Sequence, residues 1–141
     1  MLPKLARFTD PSLLLLRLMV AAVFAASGWN DLKDPKGRAQ SIGMGPGFTR
    51  FLGTAEVAGG LGVAAGVLTQ LAALGLSLVM LGALQKKIFV WRTGFWGEKA
   101  SGWHYDLMLL TMNLVIASTA GGKYVLPLGT ATRGDRKGKA R

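Results

Sequence analysis

The chain contains no cysteine, a single histidine and only 7 acidic residues among its 141. Without a thiol, disulfide bonds, thiolate metal sites and thiol chemistry are excluded. Charged residues of both signs make up 17% of the sequence, which is well below the roughly 25% of a soluble domain. Half of the residues are hydrophobic. This composition is typical of a protein that lies in a lipid bilayer.

The hydrophobic residues fall into four blocks, and each can cross a bilayer once its flanking residues are included. The blocks are residues 12–29, 48–68, 69–84 and 105–120. A signal peptide is the alternative for the first block, but three similar blocks follow it, which favours a transmembrane helix. We therefore predict an all-α, integral membrane four-helix bundle in residues 1–126, with helices at about 11–31, 48–67, 69–88 and 104–120. Residues 127–141 are predicted to form a disordered basic tail.

The connections between the blocks differ in composition. Asp10 and Pro11 are typical of a helix start, at which the Asp10 side chain accepts hydrogen bonds from first-turn amide groups. Residues 33–47 are rich in glycine, proline and charge, so we predict a surface loop there. The second and third helices meet at residues 66–70 as a tight hairpin. Basic and aromatic residues mix between residues 85 and 104, which favours a position in the headgroup layer.

Lysine and arginine flank the predicted helices equally at both ends of the bundle. We call the end that holds both termini the terminal side and the opposite end the loop side. The loop side also carries Asp31, Asp34 and Glu98, which favours cytoplasmic termini. The net charge of +10 comes without a nucleic-acid-binding motif, so we expect anionic lipid headgroups, and no nucleic acid, as its partner.

Glycine is concentrated in the second helix. Small residues recur there every four positions, which lets another helix backbone approach closely within a membrane. The glycines that we assign to this packing are Gly59, Gly60, Gly62 and Gly66. The second helix is therefore predicted to be central.

Two charges lie in the middle of apolar blocks, Arg17 in the first and Glu56 in the second. Charged side chains at membrane depth are costly and mark functional sites. Counting along each helix places Arg17 roughly 9 Å and Glu56 roughly 15 Å from the terminal side, so we predict that they form an ion pair. Asn113 and Ser77 lie at a depth similar to that of Glu56. These four residues are candidates for a ligand or proton site, and the alternative is a pair that only fixes which helices are neighbours.

A second polar group is predicted at the loop-side mouth of the bundle. Its members lie near the loop-side helix ends: Asn30, Asp31, Gln85, Lys86, His104 and Asp106. Together with the inner group they would form a polar path about halfway across the membrane. His104 has an alternative interpretation as a solvated or capping residue. We expect no metal site, because Asp106 is the only acidic residue near His104.

Several motifs, taken in chain order, resemble the DoxX family. They are Arg17 with Ser27-Gly28, Gly-Met-Gly-Pro at 43–46, Ala-Glu-Val-Ala-Gly-Gly-Leu-Gly at 55–62, Gly-Val-Leu-Thr-Gln-Leu-Ala-Ala at 66–73, and Gly-Gly-Lys-Tyr at 121–124. The resemblance implies a four-helix, multi-pass inner-membrane protein of the bacterial type. Some members are subunits of a thiosulfate:quinone oxidoreductase, and others are membrane partners of soluble redox enzymes.

The resemblance carries over five positions: Arg17, Gly28, Glu56, Gly59 and Gly60. The chain departs from the family at two places. Asp31 stands where members often have lysine, and residues 102–106 read Gly-Trp-His-Tyr-Asp where members often have Gly-Tyr-Glu-Tyr.

Two classes of function follow from these observations. In the first, the chain is a membrane anchor or quinone-side subunit of a redox assembly, its partner is a soluble or membrane oxidoreductase subunit, and the inner polar group binds a quinone headgroup or relays a proton. In the second, it is a small transporter, a lipid-handling protein or an assembly protein whose Arg/Glu pair is structural. The broken helices and inverted halves of transporters are not evident, which favours the first class. The sequence has no cofactor motif, so we expect no covalently bound cofactor, no catalytic residue and no stand-alone activity, and we leave an oligomer open.

Overall fold

The computed structural model of the chain describes residues 3–98 and 101–126, and it is entirely helical over these residues apart from turns and loops. The predicted basic tail at 127–141 lies outside the described residues. The helices, in chain order, are α1 (Pro3–Ala6), α2 (Thr9–Lys33), α3 (Pro35–Ile42), α4 (Pro46–Ala65), α5 (Thr69–Gln85) and α6 (Trp103–Thr119). A π-helical turn, Lys86–Val90, extends α5.

The four long helices pack in a ring of neighbours. Helix α2 lies against α4, α4 against α5, α5 against α6, and α6 returns to α2. Apolar side chains from all four helices fill the interior, and its most buried members are Val20, Phe24, Val63, Leu76 and Ile116. The buried carboxyl groups of Asp31 and Asp106 lie near the loop-side ends of α2 and α6, and Glu56 is in the middle of α4.

Two helical stretches are long and apolar enough to cross a membrane by length and composition. They are Lys4–Lys33 and Thr69–Val90 among the described residues. Helix α4 has 20 residues and α6 has 17, which correspond to about 30 Å and 26 Å of helix. The shorter helices are therefore close to the thickness of a hydrocarbon core.

The predicted surface loop at 33–47 contains a helix, so this prediction is wrong for residues 35–42. Asp34 caps α3, because its side chain accepts a hydrogen bond from the Gly37 amide at 3.0 Å, and Pro35 takes the first helical position. Gly43 ends the helix with φ 69°, a left-handed conformation that glycine adopts without strain. The Asp-Pro pair that reads as a break after α2 is therefore also the start of α3.

The predicted helix-capping role of Asp10 is also wrong. Helix α2 begins at Thr9 with no side-chain cap, and Asp10 instead accepts a hydrogen bond from the Lys123 amide at 2.9 Å. The Leu126 amide donates to the Gly66 carbonyl group at 3.1 Å. The segment after α6 thus crosses the terminal side and joins the start of α2 to the end of α4.

The glycines of α4 serve three different neighbours. An added methyl group on Gly60 would lie 3.1 Å from the Ala21 carbonyl oxygen of α2, whereas one on Gly59 would lie 2.9 Å from Leu76 of α5. Gly62 faces the turn into α5, and a methyl group added to it would lie 3.4 Å from Cβ of Ala72. Gly66 ends the helix with φ 75°. Helix α4 is consequently enclosed on two sides, by α2 and by α5.

Candidate functional site

Arg17 is completely buried, with 0% of its surface exposed. Its guanidinium group donates to the Val63 carbonyl at 2.7 Å and to the Ala64 carbonyl at 2.8 Å, both at the end of α4. It also donates to the carbonyl groups of Gly121, at 3.3 Å, and Tyr124. Arg17 therefore joins the end of α4 to the segment that follows α6.

The predicted ion pair between Arg17 and Glu56 is wrong. The described residues contain two ion pairs, and neither involves Arg17 or Glu56. Side chains of a helix point toward its N-terminus, so the Arg17 side chain extends toward the terminal side, away from Glu56. There it meets the carbonyl end of α4, where the helix dipole favours a cation.

Glu56 is 4% exposed, and its Oε2 atom has no hydrogen-bond partner among the described residues. The polar side chains that act on the carboxyl group are Ser27 and Asp31 of α2 and Arg38 of α3. Glu56 therefore lies at the contact between α2 and α4, and its local partners come from α2 and α3.

The contact between α2 and α4 is closest beside Glu56. A methyl group added to Gly28 would lie 2.5 Å from the Gly53 carbonyl oxygen and 2.9 Å from Cβ of Glu56. One added to Gly53 would lie 2.8 Å from the Gly28 carbonyl oxygen and 2.9 Å from Cβ of Asp31. The two glycines thus bring the Asp31 and Glu56 backbones together. Neither Gly53 nor Ser27 is among the residues that we predicted for the site.

Asp31 and Asp106, two members of the predicted outer group, are buried and each contacts a cation. Nε of Arg38 in α3 donates to Oδ1 of Asp31 at 2.6 Å. Nζ of Lys87 lies 2.6 Å from Oδ2 of Asp106, so the two groups form an ion pair. The angle between them does not suit a hydrogen bond. Sequence reasoning missed both cations as site residues, although Lys87 directly follows Lys86.

The other four members of the outer group have separate surroundings. Lys86 donates to the Ile42 carbonyl at 2.7 Å and so caps α3. A ring nitrogen of His104 lies 2.6 Å from the Phe95 carbonyl oxygen, and the ring packs against Trp96. The last two members are exposed side chains, Asn30 and Gln85. The predicted outer group is therefore not one cluster.

Asn113 and Ser77 are buried on α6 and α5, and each donates to the carbonyl group four residues earlier in its own helix. Oδ1 of Asn113 has no partner among the described residues. Counted from the loop-side helix ends, Ser77, Glu56 and Asn113 all lie at a depth of about 12–15 Å. Within residues 3–98 and 101–126, no group of three or more potential ligands is arranged to hold a metal ion. The unpaired acceptors at Glu56 and Asn113 could receive a ligand that carries hydrogen-bond donors.

Comparison with known families finds a match to DoxX over residues 12–92. The match covers more than half of the chain, from α2 through the π-helical turn, and includes Arg17, Gly28 and Glu56. Searches of curated proteins and of solved structures find no significant match.

Proposed function

Because the chain belongs to the DoxX family, we propose that it is a multi-pass protein of a bacterial-type inner membrane and that all four long helices cross the bilayer. Large apolar side chains point outward on every one of these helices. Examples are Leu15 of α2, Phe51 of α4, Leu78 of α5 and Met108 of α6, each more than half exposed. Buried arginine, glutamate and asparagine with exposed leucine suit a lipid surrounding rather than water.

The loop-side end carries the features of a membrane interface. Phe95 packs edge to face on Trp96 and Trp103, and Trp96 is largely exposed next to the start of α6. Such aromatic side chains prefer the headgroup layer. The start of α6 would then lie in that layer, where the charged side chain of Asp106 in its first turn has polar surroundings. We place this end outside the cytoplasm and both termini inside, because Asp31, Asp34 and Glu98 all lie on the loop side.

Within this membrane unit, Glu56 is the centre of function. We assign the chain as a non-catalytic membrane subunit or anchor of a quinone-linked redox assembly, in which a soluble or membrane oxidoreductase provides the catalytic groups. The observation that carries this assignment is the unpaired, buried carboxyl oxygen of Glu56. A protein does not keep such a group at membrane depth for packing alone, because an apolar residue there would cost less.

The hydrogen-bond donors and acceptors near Glu56 bear on how a quinone headgroup would bind. Oε2 of Glu56 and Oδ1 of Asn113 have no hydrogen-bond partner among the described residues, while Arg17 is occupied by four carbonyl groups. Oδ1 of Asn113 could accept from a hydroxyl group of a reduced quinone. A protonated Glu56 carboxyl group could donate to a carbonyl oxygen of the oxidised form, and an ionised one could accept from a hydroxyl group of the reduced form. When bound, a quinone would supply two-electron, two-proton chemistry. The role of this chain would be to orient the headgroup and to hold a proton at Glu56.

The test is Glu56→Gln, which keeps the shape of the side chain and removes its acidic proton. We expect normal accumulation in membranes, copurification with an oxidoreductase subunit, and reduced quinone-linked electron flow. Glu98→Gln is the control, because Glu98 is an exposed carboxylate on the same side. Unchanged electron flow at equal protein abundance would contradict the redox assignment, and transport of a solute by the purified chain would favour the transporter class.

A further inference from the structure

Three buried carboxyl groups lie between the middle of the ring and its loop-side end, and cations contact two of them. Arg38 binds Asp31, and Lys87 binds Asp106. Glu56 has no cation in contact among the residues that the structure describes, since Arg17 is committed to carbonyl groups on the terminal side and Arg38 to Asp31. An isolated carboxylate without a partner is too costly to bury, so such a group takes a proton instead. Charge counting alone therefore makes Glu56 the neutral member of the three.

The route between Glu56 and the surface follows one face of α2. Ser27, a polar neighbour of the Glu56 carboxyl group, is four residues before Asp31, so the two side chains are neighbours on the surface of α2. The Gly28 and Gly53 contact holds this face against α4. Asp31 is only 2% exposed, whereas the side chain of its partner Arg38 is 43% exposed. Ser27, Asp31 and Arg38 are therefore placed in succession between the buried Glu56 carboxyl group and solvent, and the last two are in contact.

We infer that Glu56 is a proton-binding site whose proton exchanges with the loop-side surface through Asp31, with Arg38 of α3 at the entrance. In uptake, the ionised Asp31 carboxylate first takes a proton from a hydronium ion beside Arg38, which leaves water. That O–H bond then breaks as an O–H bond forms at the ionised Glu56 carboxylate, and Asp31 returns to its paired, ionised form. The inference deepens the proposed function, because a redox subunit that binds a quinone near Glu56 must also move protons.

Among the described residues, the surroundings of Glu56 offer one alternative route to the loop side, through Tyr105 and Asp106 of α6. Helix α2 contributes Ser27 and Asp31, and α3 contributes Arg38. From α6, the Tyr105 hydroxyl group lies within electrostatic range of both Glu56 and Asp106. Helix α5 has no charged residue between Thr69 and Gln85. Asp106 is therefore the matched comparison for Asp31, since both are buried loop-side carboxylates paired with a cation.

The first experiment is infrared spectroscopy of the purified chain in liposomes near neutral pH. We expect a protonated carboxyl band that is lost in Glu56→Gln, shifted in Glu56→Asp, and kept in Glu98→Gln. The shifted band in Glu56→Asp shows that a change reflects the acid itself and not misfolding. A wild-type spectrum without this band, or a band that persists in Glu56→Gln, would overturn the proton site.

The second experiment follows the same band after transfer into D2O. We expect the band to exchange several-fold more slowly in Asp31→Asn than in the wild type, and at the wild-type rate in Asp106→Asn. Arg38→Gln should add a second protonated band, because Asp31 loses its cation. Equal rates in all variants would refute the route through Asp31. Neither experiment contains a quinone or a partner protein. The proton-site inference can therefore be refuted while the redox assignment holds, and the redox assignment can be refuted while the proton site holds.

Discussion

Replacing Arg17 with methionine should be the most destabilising single change in the chain. The substitution keeps a long side chain but leaves the Val63, Ala64, Gly121 and Tyr124 carbonyl groups without their donor. Hydrogen bonds to a charged group contribute about 1.5–3 kcal/mol each. The two fully buried bonds, to Val63 and Gly121, are therefore worth about 3–6 kcal/mol together. That is a large part of the roughly 5–15 kcal/mol that stabilises a typical protein.

Unfolding of the purified protein in detergent, followed by loss of helical signal, measures this difference. The control is Arg50→Met, because Arg50 is exposed on α4 and should change the free energy of unfolding by less than about 0.5 kcal/mol. Arg17→Lys should recover only part of the loss, since an ammonium group cannot match the planar fork of donors. Equal stability of Arg17→Met and Arg50→Met would refute the structural role. If Glu56→Arg restored the stability lost in Arg17→Glu, the prediction would also be refuted, because such a rescue requires the ion pair that the geometry excludes.

Three further changes test separate contacts. Gly28→Ala places a methyl group against α4 and should cost about 1–3 kcal/mol, while Gly75→Ala, which meets nothing within 4 Å, should be neutral or stabilising in the same unfolding assay. Lys86→Met removes the donor to the Ile42 carbonyl group and should accelerate hydrogen exchange at the end of α3, with α5 unaffected. Asn113→Leu removes a buried unpaired acceptor and should raise the free energy of unfolding by about 1 kcal/mol; a lower value would mean that Oδ1 has a partner.

Composition and hydrophobic blocks were sufficient to predict an all-helical protein, and the family suggested by the motifs around Glu56 is confirmed. The surroundings of Arg17 were not predictable in the same way. Depth counting compared the heights of two Cα atoms, and on that basis Arg17 and Glu56 are close. The heights of the Cα atoms do not include the direction of the side chain. The Arg17 side chain extends toward the terminal side, and its guanidinium group therefore reaches the last turn of α4 and not Glu56.

The remaining differences also have physical causes. Helix α3 was missed because glycine and proline were read as loop residues, although Asp34, Pro35 and Gly43 stand where a short helix needs a cap, a first residue and an end. The Gly28 and Gly53 contact depends on the register between two helices, and a single sequence does not specify that register. Arg38 could be found as the partner of Asp31 only once α3 was known to fold back over the end of α2.

We propose that Arg17 stabilises the fold whereas Glu56 serves function, and a side-by-side measurement of Arg17→Met and Glu56→Gln tests this division most directly. Membrane abundance and quinone-linked electron flow would be measured for both variants, and flow would be expressed per molecule of protein. We predict that Arg17→Met lowers abundance and leaves flow per molecule unchanged, whereas Glu56→Gln keeps abundance and lowers flow per molecule. Reduced abundance in Glu56→Gln, with unchanged flow per molecule, would contradict the account.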